Sequence, residues 1–277
     1  MPERSRLSSD TKDALAREIP HDEGVRAALR NGLTYYGGVF AGEELVFRTR
    51  RPAVARLART LFEEQRNAAP VRRGHDQRLY KATTFEIDLG KADPGVPPRP
   101  RRRDERRAEL RAAFLCAGSV AAPQHGYHLE FVLADEARAG RVAGLIGAEG
   151  IEPRRMVRKG RHVVYLKGLD AIVTVLGAVG ASGAVLRLED VRAAAAAAAQ
   201  REAIQYLADA YGLRNLSPAL REAAQLRLAH PDETLAELGR RCHPAVGKAT
   251  INGRLAALMR LVKRVRGERE EPEVSFA

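Results

Sequence analysis

Apolar residues along the chain switch between helical spacing and strand alternation in a regular order. Ser8 or Ser9 is positioned to cap a short helix through "DTKDALAREI", and a second helix over 22–36 is expected to end at Gly37-Gly38. "ELVFRT" (44–49) reads as a strand, "PAVARLARTLFEEQ" (52–65) as an amphipathic helix, and "TTFEIDL" (83–89) as another strand. Pro52 suits the first turn of its helix, where a missing N–H leaves no bond unmade. Residues 91–107, "KADPGVPPRPRRRDERR", concentrate proline and charge and read as a linker whose basic end runs into the next helix. The pattern then starts again. "RRAELRAAFLCAG" is a helix closing at Gly118, "YHLEFVL" (127–133) a strand, and "ADEARAGRVAGLIGAEG" an amphipathic helix. "EPRRMVRKG" supplies a basic hairpin leading into the strand "HVVYLK" (162–167).

The two stretches superpose in order. Gly38 falls on Gly118, "LVFRT" on "LEFVL" and Leu61 on Leu145, with a short insertion in the first hairpin of the second copy. Each copy is helix, hairpin, helix, then strand or hairpin, an αββαβ-type repeat. One such unit cannot cover both faces of its sheet, so two are expected to pack on a pseudo-twofold axis in an α+β fold. The uncharged stretch 171–186 is short for a bilayer span, and Gly177, Gly180 and Gly183 suit a helix, a turn and another element. "AAAAAAA" (193–199) lies in a helix reaching about Ala210, read as a connector.

The C-terminal segment has the order of a helix-turn-helix. Ser217 and Pro218 start one helix and Pro231 follows its end. Asp232 is expected to cap a second helix carrying Leu235 and Leu238 inward, stopped at Pro244, with Gly247 permitting the turn. A third helix starts near Lys248, with Ile251, Leu255, Leu258, Met259 and Val262 on one face. Its other face carries Lys248, Thr250, Asn252 and Arg254, types that bond base edges or phosphates, followed by Arg260, Lys263, Arg264 and Arg266 for phosphate. The expected division is 1–90 and 108–192 for the two copies, 91–107 for the linker and 193–212 for the connector. The helix-turn-helix would take 213–267, leaving a tail over 268–277.

Charge sharpens this picture. A formal net charge of +12 and a pI near 10.2 make a polyanion the expected partner, with nucleic acid ahead of a membrane surface. The alternative is a merely solubilising surface. Cys116 and Cys242 lack metal-ligand spacing and read as small buried hydrophobes. "MPERSRLSSD" lacks the apolar run of a signal peptide, so a soluble, cytoplasmic protein is expected. The seven histidines are scattered, and His125 and His128, three apart along a strand, would face opposite ways. No Walker loop, dinucleotide fingerprint or metal motif is present, so no cofactor, metal or small-molecule substrate is expected.

Five stretches in this order resemble the WhiA family of bacterial sporulation regulators and cell-division proteins. They are "SSDTKDALARE", "LRAAFLCAGSVAAPQHGYHLEFV", "RKGRHVVYLKG", "VLGAVGASGAVLRLEDVR" and "TLAELGRRCHPAVGKATINGRL". The resemblance implies a duplicated domain similar to LAGLIDADG homing endonucleases, joined to an all-α helix-turn-helix that binds DNA through Thr234 to Arg266. It further implies a nucleoid-associated regulator of cell division and chromosome segregation, and of sporulation where the host sporulates. Another transcription regulator is a candidate partner beside double-stranded DNA. The segment before the helix-turn-helix is shorter than is usual in the family, and Gly253 stands where a larger residue is common.

In LAGLIDADG enzymes each repeat's helix ends on an acid that holds a divalent cation for phosphodiester hydrolysis. The corresponding positions here are Gly37 and Ala117, which carry no ligand, so no catalytic residue is expected. Arg48, Arg50, Arg154, Arg155, Arg158, Lys159 and Arg161 either line the concave sheet surface as secondary DNA contacts or belong to the outer surface. Two rival functions remain: an active metal-dependent endonuclease with unconventional ligands, and a nucleoid protein with little sequence preference.

Overall fold

The computed structural model describes residues 3–63, 71–76, 82–91, 95–121 and 127–270. The expected helix end at Gln65, His125 and the tail beyond 270 lie outside them. Two compact units, 1–188 and 189–277, each have their own apolar core, and the division falls within one long helix.

The first unit opens with α1 (Glu3–Leu15), followed by two copies of one motif. The first is α2 (Glu23–Gly37), β1 (Gly38–Ala41), β2 (Glu44–Thr49), α3 (Pro52–Glu63), β3 (Arg72–Asp76) and β4 (Ala82–Gly90). The second is α4 (Arg103–Ala117), β5 (Gly118–Ala121), β6 (His128–Leu133), α5 (Glu136–Gly147), β7 (Arg154–Arg158) and β8 (Arg161–Lys167). The repeat is therefore αββαββ. The strand missed in the first copy, β3, is "RRGHD" and has no apolar alternation to betray it. Both sheets are antiparallel with the same order, β1-β2-β4-β3 and β5-β6-β8-β7. They also share register: Gly38 lies opposite Phe47 as Gly118 lies opposite Phe131.

Alternation puts Leu45, Phe47 and Ile87 of one sheet, and Leu129, Phe131, Val164 and Leu166 of the other, into the core beneath the helices. Complete burial of each phenylalanine contributes about 1.5–3 kcal/mol. α2 and α4 meet where Gly32 faces Ala112; a Cβ on Gly32 would stand 2.6 Å from that of Ala112. The close approach thus depends on Gly32 with Ala112. Gly118 is instead tight against Phe114 of its own helix.

Two boundaries differ from expectation. α1 begins at Glu3, so Ser8 and Ser9 lie inside it: Ser8 is buried, and the Ser9 hydroxyl accepts a bond from Arg51 at 2.8 Å. α4 begins at Arg103, inside the proline-rich stretch, because Glu105 reaches back to the Arg102 N–H at 3.2 Å and closes the helix start. The buried Arg111 guanidinium then caps the end of α1 through the carbonyls of Leu15 and Glu18.

α6 (Leu169–Ala178) follows, and Gly180, at φ +88°, turns the chain into α7 (Ser182–Ala210). The C-terminal unit comprises the later part of α7 with α8 (Pro218–Ala229), α9 (Leu235–Arg241) and α10 (Lys248–Glu270). Ala203, Ile204 and Leu207 are buried in its core beside Leu238 and Leu255, so this stretch is a packed wall of the unit rather than a bare connector.

Candidate nucleic-acid interface

α9 and α10 are held in a tight pair by local chemistry. Thr234, not Asp232, caps α9: its hydroxyl accepts the Glu237 N–H at 3.3 Å, and Glu237 accepts the Thr234 N–H at 2.7 Å. The turn closes where the Val246 N–H bonds the Gly239 carbonyl at 2.9 Å. A Cβ on Gly239 would lie 2.4 Å from the Val246 carbonyl oxygen, so the sterically required glycine is Gly239. Gly247, expected to permit the turn, has open space around it and no positive φ. Arg227 of α8, buried, donates to the carbonyls of Pro231 at 3.2 Å and Glu233 at 2.8 Å and ties α8 to the start of α9. Burial lowers its pKa, with Glu233 opposing.

On α10, Ile251, Leu255, Leu258, Val262 and Val265 are buried, with Met259 half-buried beside them. Helical geometry turns Ala249, Gly253, Ala256 and Arg260 directly away from that line. Lys248, Thr250 and Asn252 are exposed on its flanks, Lys263, Arg264 and Arg266 are exposed farther along, and the outward Arg260 is exposed as well. Lys248 and Asn252 also border a groove of about 630 Å³ whose other wall is the alanine run of α7, including Ala193 and Ala197, with Arg201 beyond it. Arg266 lies over the Tyr206 ring, 4.7 Å from its centroid.

Arg254 is placed differently from expectation. It adjoins the buried line, is half-buried, and pairs with Glu222 of α8 at 3.0 Å while contacting the Cys242 sulfur at 3.6 Å. The other Glu222 oxygen accepts the His243 N–H at 2.6 Å. Arg254 therefore fastens α10 to α8 and to the turn. Burial raises the Cys242 thiol, and Glu222 adds to the shift.

In the first unit, α2 and α4 end side by side at Gly37 and Ala117. A Cβ on Gly37 would lie 2.4 Å from the Phe47 ring and 3.0 Å from the Cys116 sulfur. The first acid position is thus filled by an aromatic ring, and the second bears only a methyl group. A carboxylate does lie deep between the helices, Glu109, but Arg141 takes both its oxygens and the Tyr36 hydroxyl donates to it at 3.0 Å. Among the described residues no group of three or more His, Cys, Asp or Glu side chains converges as a metal set. The donor set does not fit a divalent cation at the helix ends.

A "Probable cell division protein WhiA" from Moorella thermoacetica is 34% identical over 305 residues, covering 96% of this chain and 94% of that protein. The chain belongs to the WhiA family. A second WhiA relative of the same description, from Thermoanaerobacter sp. (strain X514), is 30% identical over 316 residues and covers 95% of this chain and 99% of its own. The family description "WhiA LAGLIDADG-like domain" matches residues 106–197, and "WhiA C-terminal HTH domain" matches 190–262. The WhiA fold agrees as well. A solved structure described as "full-length DUF199/WhiA from Thermatoga maritima" aligns at TM-score 0.55 and 20% identity, over 92% of this chain and 97% of that one. A second solved structure, described as "the N-terminal LAGLIDADG domain of DUF199/WhiA", aligns at TM-score 0.53 and 19% identity, over 64% of this chain and 91% of that one.

In this WhiA-family chain the basic residues of the second copy divide by register. Arg154, Arg158 and Arg161 share the sheet face opposite the helices, where Arg158 meets Glu130 at 3.1 Å. Arg155 points the other way, to Glu136 of α5 at 2.9 Å, and Lys159 sits at the hairpin tip with φ 51°. Arg48 lies on the open face of the first sheet, paired with Glu86 at 2.6 Å.

Proposed function

We propose that this WhiA-family protein binds double-stranded DNA sequence-specifically through Thr234 to Arg266, and that its LAGLIDADG-like domain does not cut. The observation that carries the reading is α10: a helix anchored by a continuous buried line, with Lys248, Thr250 and Asn252 exposed at its start. That is the end a recognition helix presents to base edges in the major groove. Asn252 can bond adenine bidentately, and the helix N-terminus with Lys248 can hold a phosphate. Ala249, Gly253 and Ala256, facing outward, let the helix backbone approach the groove floor. Arg260, Lys263 and Arg264 supply sequence-independent attraction to phosphates. Arg254, spent on Glu222, leaves the reading set.

Arg154, Arg158 and Arg161 offer secondary phosphate contacts on the open sheet face, from which Arg155 is turned away. The exposed Val132 and Met156 on that same face offer a seat for another regulator. The relatives' description as probable cell division proteins supports a role in cell division; chromosome segregation and, in hosts that sporulate, transcription of sporulation genes belong to the same proposal through the family resemblance alone. Such a protein acts in the cytoplasm on the nucleoid; no helix among the described residues is long and apolar enough to cross a membrane.

Immunoprecipitation of the protein with its DNA supplies the target. Incubating that duplex with the protein and magnesium should leave it intact. Nicking that EDTA abolishes would restore the endonuclease reading.

A further inference from the structure

A cavity of about 720 Å³ lies where the two copies meet, beside Gly37 and Cys116 at the helix ends. Five cations line it, Lys12, Arg48, Arg50, Arg51 and Arg161, against one lining carboxylate, Asp13, with Arg48 paired to Glu86 beside the cavity. The balance is the reverse of a metal site. Its floor is Lys12 of α1, only 8% exposed and on the same buried helix face as Thr11 and Leu15. The Lys12 ammonium has neither a hydrogen bond nor an ion pair among the described residues; it stands 5.7 Å from the centroid of the Phe114 ring. The neighbouring Arg51 is tethered at the rim by Ser9 and, at 3.8 Å, by Asp13. Burial pulls the Lys12 ammonium down to about 8, the Cys116 thiol opposing and Arg51 adding to the shift. A buried ammonium without a counter-ion is costly, and an entering anion supplies the missing partner.

We infer that this cavity binds a free phosphate ester of nucleotide size, with its phosphates between Lys12, Arg51 and Arg161. The volume falls within the range of small-molecule sites. Several cations around one cavity call for a multiply charged anion, and guanidinium forks with an ammonium match phosphate oxygens. A phosphate within a duplex backbone reaches Arg48 and Arg161 at the rim. It cannot descend to a lysine as deeply buried as Lys12, which favours a free ligand over DNA.

Isothermal titration of the full chain with ATP, GTP and pyrophosphate tests this, beside Lys12→Met, Arg161→Ala and, as a control remote from the cavity, Arg59→Ala. ATP or GTP should bind saturably at one per chain, with pyrophosphate reading the phosphate contacts alone. Affinity should fall at least tenfold in Lys12→Met and severalfold in Arg161→Ala, and stay unchanged in Arg59→Ala. Arg161, being exposed, keeps the test valid should Lys12→Met fold poorly. Absence of saturable binding by both nucleotides, or equal affinity in Arg161→Ala and the parent chain, overturns the inference. So does a Lys12→Met deficit seen only with duplex DNA, which would assign the phosphate to the nucleic acid.

Discussion

At the scale of single residues, neither Gly37 nor Ala117 offers an oxygen ligand, and the space beside Gly37 is occupied by packing as well. Since a Cβ on Gly37 would meet the Phe47 ring at 2.4 Å, Gly37→Asp should overpack the helix end and cost about 1–3 kcal/mol, read as a lower Tm. Gly37→Ala should show most of that loss, because the Cβ alone makes the clash; an unchanged Tm in both would contradict the geometry. Glu149 gives a pH signature. Arg107, then Arg103, hold its carboxyl down at about 2, from an ordinary 4.5, against the opposing effect of burial. A depressed folded pKa contributes stability above the unfolded value, lost as pH falls from about 4.5 towards 2. Glu149→Gln should therefore cost about 2 kcal/mol at pH 6, allowing for the solvent-exposed arginines, and almost nothing near pH 2 in denaturant titrations. A cost that does not change with pH would refute it. The absence of acids at Gly37 and Ala117 was legible in the sequence through the family resemblance. The ring that fills Gly37's space was not, since Phe47 approaches from the neighbouring strand. Lys12 was legible in principle, as a lysine spaced among Ser8, Thr11 and Leu15, all buried; the misplaced helix start at Ser8 or Ser9 hid that face.

At the scale of elements, α8, α9 and α10 owe their arrangement to a few polar clamps. Thr234→Ala removes the hydroxyl that accepts the Glu237 N–H, leaving only the backbone half of the reciprocal pair, and should destabilise the C-terminal unit by about 1 kcal/mol in thermal melts. Arg254→Ala should lower stability and weaken binding to matched and scrambled duplexes in the same proportion, because it loosens α10 from Glu222. A selective loss on the matched site alone would return Arg254 to the reading face. The amphipathic helices and buried strands could be read directly, since their periods differ. Thr234 was recoverable from the Thr-x-x-Glu spacing with Glu237, although Asp232 nearby offered a competing cap. Arg254 could be placed only by setting it beside Leu255 and Ile251 on the helix and finding Glu222, 32 residues away, opposite it. Strand β3 carries no pattern of its own and depends on pairing with β4.

At the scale of the whole molecule, two copies of one motif make the first unit and a helical unit follows. Repetition is what made the first legible: each copy's faint pattern was read with the help of the other. The C-terminal unit's inclusion of Ala203 to Leu207 was not legible, because an alanine-rich helix looks the same whether it packs or spans. The proposed function places sequence reading at the exposed start of α10. The most direct test is competition binding of the full chain and a Thr250→Ala/Asn252→Ala variant to the matched and a scrambled duplex, at two salt concentrations. The parent chain should keep its preference when phosphate attraction is screened, while the variant loses that preference and retains its affinity for the scrambled duplex. A variant that still prefers the matched site as strongly as the parent would contradict the claim.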